Sequence, residues 1–311
     1  MSVFKLYNII DDNKAHECNQ LYVKERDIQN FVEMNLEYLF NIRLLKSEFS
    51  FIANDGGNGR MDTLGLDENN CPVVIEYKRN SNDNIINQGL FYVDWLKSHQ
   101  KDFEWIILEK IDKETAKSID WSQTRLICIA TDFNRYDKFA IHQCKVNVEL
   151  VTYSRFENQI LFNFTNVSST KKNEELTFNN TECIEKLNSN TLDTIPKAYN
   201  KFENANTIVK LIFKEFEDYI FSLSDNIQKN VLIHYIAYKN IKNVACVELF
   251  KNNLKLFLSI NPEQQYMKKN LKMRDVTSIG HRGTGNLEIT INSLEDLESI
   301  KDLIKISVQK N

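Results

Sequence analysis

Long hydrophobic runs are missing from this 311-residue chain: no stretch of about 18 apolar residues occurs, so no membrane span is expected. The opening MSVFKLYNIIDDNK lacks the basic, apolar and small-residue succession of a signal peptide. Export is therefore not expected, and a cytoplasmic location is. Without secretion, the glycosylation-like triplets Asn163-Phe164-Thr165 and Asn166-Val167-Ser168 carry no weight. Cysteine is sparse and scattered: Cys18, Cys71, Cys128, Cys144, Cys183 and Cys246 form no C-x-x-C or C-x-x-H pair. Zinc frameworks and disulfide scaffolds are excluded on that pattern, and the thiols are read as reduced. His16, His99, His142 and His234 lack partners at ligand spacing, and no nucleophile elbow or serine triad is present.

What is there is a globular composition, 42% hydrophobic and 26% charged, in a chain long enough for two domains. A net charge of −4 disfavours a polyanionic partner on average, but the charge is unevenly spread. Residues 1–165 carry 19 Lys and Arg against 25 Asp and Glu, whereas residues 166–311 carry 20 against 18. The window from Lys242 to Arg282 holds eight basic and three acidic residues, which suits either a solvated surface or a polyanion contact.

A polar stretch beginning NVSSTKKNEELTFNNTECIEKLNSN separates two patterned regions, and all three tryptophans lie upstream of it. The expected division is a first domain over residues 1–163, a linker over 164–200 and a second domain over 201–311. Helical periodicity predicts helices over Glu25–Phe40 and Asn84–His99 in the first domain. Strands are expected at Lys46–Ala53, along a hairpin, and at Trp105–Leu108, Leu126–Ala130 and Val146–Tyr153, with Gly56, Gly57 and Gly59 marking a tight turn. The second domain is predicted to be α+β: a helix over Thr207–Leu223, strands at Val244–Phe250, Leu254–Ile260, Val276–Ser278 and Leu287–Ile291, and a last helix capped at Ser293. The glycine-rich Gly280-His281-Arg282-Gly283-Thr284-Gly285 leads into a strand, so it is read as a hairpin loop rather than a phosphate cradle.

The segment GRMDTLGLDENNCPVVIEYKR, residues 59–79, places three expensive charges in a buried hairpin. If the turn centres on Asn69, Asp62 and Glu76 become cross-strand neighbours, with Cβ atoms about 5 Å apart. Two carboxylates that close repel unless one is protonated or a cation lies between them. Alternation puts Glu76 and Lys78 on one face and Tyr77 on the other, after the apolar run Val73-Val74-Ile75. Carboxylates from two strands suit Mg²⁺, a hard ion that keeps waters and binds substrate phosphates.

An Asp, a short gap and Glu-x-Lys resembles the signature of the PD-(D/E)XK nuclease superfamily, over about residues 25 to 110. The resemblance extends to ERDIQNFVEMNLEYLFNIRLLKSEF, to GRMD and VVIEYK, and to NQGLFYVDWL, where Gln88 and Tyr92 match the Q-x-x-x-Y motif of the branch resembling recombination-type exonucleases and mismatch endonucleases. It implies a restriction-endonuclease-like α/β core, with a mixed central sheet flanked by helices, followed by the smaller α+β domain. It also implies a Mg²⁺- or Mn²⁺-dependent hydrolase of phosphodiester bonds, acting on DNA before RNA, with no membrane partner and compatible with a homodimer. Asp62 and Glu76 would hold the metal with the Tyr77 carbonyl, and Lys78 would orient water and stabilise phosphate charge. Glu33 is the chosen upstream acid on the first helix, with Glu25 and Glu37 as rivals. Gln88 and Tyr92 would contact the nucleic-acid backbone, and Arg60 would meet a phosphate or cap the turn. The C-terminal region resembles a small domain of unknown function often labelled as a transport protein, a label nothing in the residues supports. Alternatives are a non-cleaving nucleic-acid-binding protein and a regulatory or interaction protein that retains the fold.

Overall fold

In the computed structural model, which describes residues 4–10, 14–53, 56–79, 84–167, 197–262, 270–281 and 283–310, the chain forms two compact units, Met1–Asn173 and Glu174–Asn311. The first unit opens with an exposed antiparallel pair, β1 (Tyr7–Ile10) and β2 (Lys14–Glu17), and a short β3 (Gln20–Leu21). Then follow α1 (Glu25–Met34), α2 (Leu36–Phe40), β4 (Ile42–Ile52), β5 (Asn58–Asp67) and β6 (Pro72–Tyr77). After them come α3 (Ile85–Ser98), α4 (Gln100–Lys110), α5 (Lys113–Lys117), β7 (Arg125–Ala130), α6 (Arg135–Ala140), β8 (Asn147–Phe156) and β9 (Gln159–Val167).

One seven-stranded sheet runs β3-β8-β7-β6-β5-β4, with β9 alongside β8. Its centre, β6-β7-β8, is parallel, while β4-β5-β6 and β8-β9 are antiparallel, so the sheet is mixed. The continuous apolar runs of β6 and β7 are explained by cover on both faces. On one face, Ile28, Val32, Leu36 and Phe40 from α1 and α2 pack on Val73, Ile75 and Tyr77. On the other, α3 and α4 bring Val93, Leu96, Phe103 and Ile107 onto Val74, Leu126 and Cys128. This is the expected α/β core, a mixed central sheet flanked by helices.

Three expectations need correction here. The single first helix is broken at Asn35, and Asn41 ends the second piece in the left-handed region at φ 58°. Trp105–Leu108 is not a strand: it lies within α4, where Phe103, Ile106 and Ile107 are buried while Trp105 is 68% exposed, a helical spacing. Residues at both ends of the segment read as a linker over 164–200 belong to regular elements. Phe164 belongs to β9 and packs edge-on against Phe40 at 5.6 Å, while Lys197–Glu203 is helical; residues 168–196 lie outside the described residues.

The second unit contains α7 (Lys197–Glu203), α8 (Thr207–Leu223), β10 (Gln228–Val231), β11 (Ile236–Lys239), β12 (Asn243–Leu249), β13 (Leu254–Leu258), β14 (Lys272–Asp275), β15 (Leu287–Ile291), α9 (Leu294–Ser299) and α10 (Lys301–Lys310). Its antiparallel sheet, β10-β11-β12-β13-β15-β14, buries one face under α8 and α10, giving the smaller α+β unit. Ser293 caps α9 reciprocally with Asp296. The strand read at Val276–Ser278 falls earlier, at β14, because the Asp275 carboxylate captures Thr277 and turns the chain. Gly280–Gly285 lies in the connection between antiparallel β14 and β15, with Arg282 outside the described residues. In the basic window, Lys255 and Arg274 both pair with the buried Glu288, at 3.0 and 2.6 Å, and Lys268 and Lys269 lie outside the described residues. No disulfide joins the described cysteines, and Cys183 lies outside them.

Candidate active site

The hairpin register is set at its turn. Asp67 Oδ1 accepts the amides of Asn69 and Cys71, each at 2.9 Å, and Asn70 takes a left-handed φ of 59°. Thr63 lies opposite Ile75 and Leu64 opposite Val74, the register anticipated for a turn centred on Asn69. One step further, Asp62 and Glu76 replace the ladder with side-chain bonds. The Asp62 N–H donates to Glu76 Oε1 at 3.1 Å, and the Tyr77 N–H donates to Asp62 Oδ2 at 3.0 Å. Each carboxylate thus serves a buried amide on the facing strand, which would otherwise lack an acceptor.

Burial and proximity shape the charges. Glu76 is fully buried, its Oε2 has no hydrogen-bond partner, and burial together with the Asp62 charge pushes its carboxyl up to about 9. Burial also raises Asp62, against the opposing pull of the Tyr77 amide and Lys78. For Lys78, burial favours the neutral amine, but Glu25, Asp62 and Glu76 outweigh it and hold the group above its ordinary value. Its Nζ lies 3.4 Å from Glu25 Oε1.

Glu25, Asp62 and Lys78 open into a cleft of about 620 Å³ whose lining also includes Arg60, Gln88 and Tyr92, whereas the fully buried Glu76 is not among its lining residues. Gln88 Nε2 donates to Tyr92 Oη at 2.7 Å, so the two motif residues, one helical turn apart, present a linked polar edge. The Tyr92 ring is buried and meets Phe51 edge-on at 5.6 Å. Phe51 can lie over β5 only because Gly59 has no side chain: a Cβ there would stand 2.2 Å from its Cζ. Gly59 is thus not part of the tight turn expected around Gly56 and Gly57 but belongs to the strand beside the cleft.

Other expected site residues take distinct places. Glu33 is not among the groups lining the cleft; its Oε1 accepts Thr63 Oγ1 at 2.5 Å and Gln29 Nε2 at 3.1 Å. Glu25, at the start of the same helix, lines the cleft, and Glu37 is exposed on α2. Arg60 does not cap the turn: its Nη1 pairs with Glu48 Oε2 at 2.8 Å. Glu48 also holds Arg26 and Gln29, an organising role that no sequence pattern signalled. The Tyr77 side chain is buried on the opposite face, but its N–H points at Asp62, and the N–H and C=O of a strand residue share one lateral direction.

Among the described residues, no three His, Cys, Asp or Glu side chains converge as a ready-made metal cage. Two carboxylates and a carbonyl on the same side form a hard oxygen set, and the buried, unpartnered Glu76 Oε2 is an acceptor awaiting a proton or a cation. Such a set fits a Mg²⁺ or Mn²⁺ ion that completes its shell with water and substrate.

Fold and site together define an α/β unit with a mixed central sheet flanked by helices, carrying a buried Asp–Glu pair and a lysine, joined to a second α+β unit. The chain belongs to the same family as an uncharacterized protein of Haemophilus influenzae, to which it is 30% identical over 299 residues, covering 93% of this chain and 94% of that protein. No protein-family profile matches it. A solved structure described as "Structure of EndoMS-dsDNA2 complex" aligns with 45% of this chain and 50% of its own, at 19% identity and a TM-score of 0.26, too low to bear on function. No described helix is long and apolar enough to cross a membrane.

Proposed function

We propose that the cleft hydrolyses phosphodiester bonds of nucleic acid, DNA in preference to RNA, with Mg²⁺ or Mn²⁺ held by Asp62, Glu76 and the Tyr77 carbonyl. The observation that carries this reading is the buried Glu76 beside Asp62, with one oxygen unpartnered and Lys78 at the cleft wall. The preference for DNA rests on the motif resemblance. A bound divalent ion would supply Lewis acidity toward phosphate oxygens and water.

The chain's own residues account for the remainder. Lys78, held charged by three carboxylates, offers an ammonium to charge developing on phosphate oxygens in a site partly shielded from water. Glu25 fixes the position of that ammonium through their ion pair. Gln88 and Tyr92 offer amide and hydroxyl groups toward a sugar–phosphate backbone crossing α3, and Arg60 adds a positive charge at the rim. The upstream acid in this reading is Glu25 rather than Glu33.

The test is cleavage of labelled single-stranded, duplex, mismatched and branched DNA, and of RNA, with Mg²⁺, Mn²⁺ or EDTA, beside Asp62→Ala. Metal-dependent cutting that disappears in the variant is the expected result. Binding of nucleic acid without cutting of any substrate would replace the nuclease by a non-cleaving nucleic-acid-binding protein.

A further inference from the structure

A second pocket lies at the carboxyl end of the same sheet, and its origin is visible in the strand pairing. β7 accompanies β8 only as far as Thr152, and β3 takes up pairing at Arg155, so Tyr153 and Ser154 have no strand beside them on that side. The gap forms a pocket of about 360 Å³ lined by Tyr22, Arg79, Thr131, Tyr153, Ser154 and Arg155, among others. None of its described lining residues is acidic.

Its polar groups are held in place without being neutralised. The Arg79 guanidinium lies 4.2 Å from the centre of the Tyr22 ring, and the Arg79 carbonyl accepts the Thr131 hydroxyl. Arg155 Nε donates to the Glu157 carbonyl at 2.9 Å. Neither arginine has a carboxylate partner among the described residues. Tyr153 is 3% exposed, and its hydroxyl is buried with no hydrogen-bond partner, a costly arrangement unless something supplies one. Two unpaired guanidinium groups and an orphaned hydroxyl around one hollow make an anion site, and guanidinium geometry favours phosphate.

The pocket adjoins the cleft. Arg79 directly follows Lys78, and the Tyr153 hydroxyl lies within electrostatic reach of both Arg79 and Glu25, the latter lining the cleft. We propose that this pocket binds a phosphate group of the nucleic-acid strand whose scissile bond occupies the cleft, a subsite that rests on the nuclease reading for its ligand. A terminal phosphate and a phosphate within the backbone share this chemistry.

Binding in EDTA separates the subsite from cleavage. Short single strands labelled at the 3′ end, with either a 5′-phosphate or a 5′-hydroxyl, are titrated by fluorescence anisotropy into the full chain at several salt concentrations. Arg79→Gln and Arg155→Gln should each weaken binding about tenfold and reduce the salt slope by about one. Tyr153→Phe, which keeps the ring, should weaken it about threefold, and Lys101→Gln, on distant α4, should change nothing. A 5′-phosphate preference that disappears in the arginine variants identifies a terminal phosphate; equal loss for both strands identifies a backbone phosphate. Inorganic phosphate should raise the Tm of the wild type but not of Arg155→Gln, which guards against a variant that merely folds poorly. Wild-type affinity and salt slope in both arginine variants would overturn the subsite, even if metal-dependent cutting is found. Phosphate binding through the arginines in a protein that cuts nothing would instead overturn the nuclease reading alone.

Discussion

The main-chain N–H of Asp62 points at Glu76 Oε1, 3.1 Å away, although the two carboxyl groups repel. The amide partly compensates Oε1, and Oε2 is left without a partner. The pair therefore shares its site with a proton in the absence of a cation, which has measurable consequences.

Glu76 is lifted from 4.5 to about 9, so the folded protein holds this proton more tightly than the unfolded chain does. Its contribution to stability is full below about pH 4.5 and lost as pH rises through about 9. In EDTA, the Tm should fall as pH is raised from about 6 to about 9, and Glu76→Gln should flatten that fall. Added Mg²⁺ should restore the wild type, with about one proton released per ion in calorimetry. A pH-independent wild-type Tm would contradict the buried protonated carboxyl.

Lys78→Ala should depress cleavage about 100-fold or more, the scale of losing one donor to a developing oxyanion. Metal affinity should remain near that of the wild type, because the lysine contributes no ligand. Equal loss of both, measured by single-turnover kinetics and calorimetry, would place Lys78 in the metal site's architecture instead.

Glu25 and Glu33 should separate by readout. Glu25→Gln removes the carboxylate facing Lys78 and should lower kcat at least tenfold with little change in Tm. Glu33→Ala strips the acceptor from Thr63 and Gln29, which should cost about 1–2 kcal/mol in urea melts while kcat changes little. The opposite pattern would restore Glu33 as the upstream acid.

Gly89→Ala is expected to destabilise the first unit by about 1–3 kcal/mol. A Cβ there would stand 2.4 Å from Leu126 Cδ1, between α3 and β7 in a closely packed layer. Because Gln88 is adjacent, the same change should raise KM. An unaltered denaturation midpoint would show that the layer yields more readily than its packing implies.

Much of this was legible in the residues because the hairpin obeys a strict period. A side-chain period of two, anchored by Asp67-Glu68-Asn69-Asn70, fixed which residues face each other, and Thr63 opposite Ile75 agrees with it. Trp105–Leu108 misled because a short apolar run fits a strand and a helix equally well. Its buried neighbours Phe103, Ile106 and Ile107 decide the matter only once it is known what they touch. β1 and β2 escaped notice since both are exposed throughout and carry no inward-facing alternation. The residues around Glu33 favour it over Glu25 as the upstream acid, but both lie on α1, and only the fold shows that the helix start meets the end of β6. The pocket beside Tyr153 left no motif, since it arises where one strand stops and another begins.

Asp67 lies at the opposite end of the hairpin from the chemistry, yet it indexes the chemistry. Its carboxylate clamps the amides of Asn69 and Cys71 and lies 3.4 Å from the buried Arg125. Slippage of β6 by a single residue there would turn Glu76 toward the α1 side and bring Tyr77 to the opposite face while Asp62 stayed in place, with composition and hydrophobicity nearly unchanged. The turn thus works as the zero mark of a ruler read at its far end. Inserting one residue into it would silence the site more thoroughly than most substitutions within the cleft.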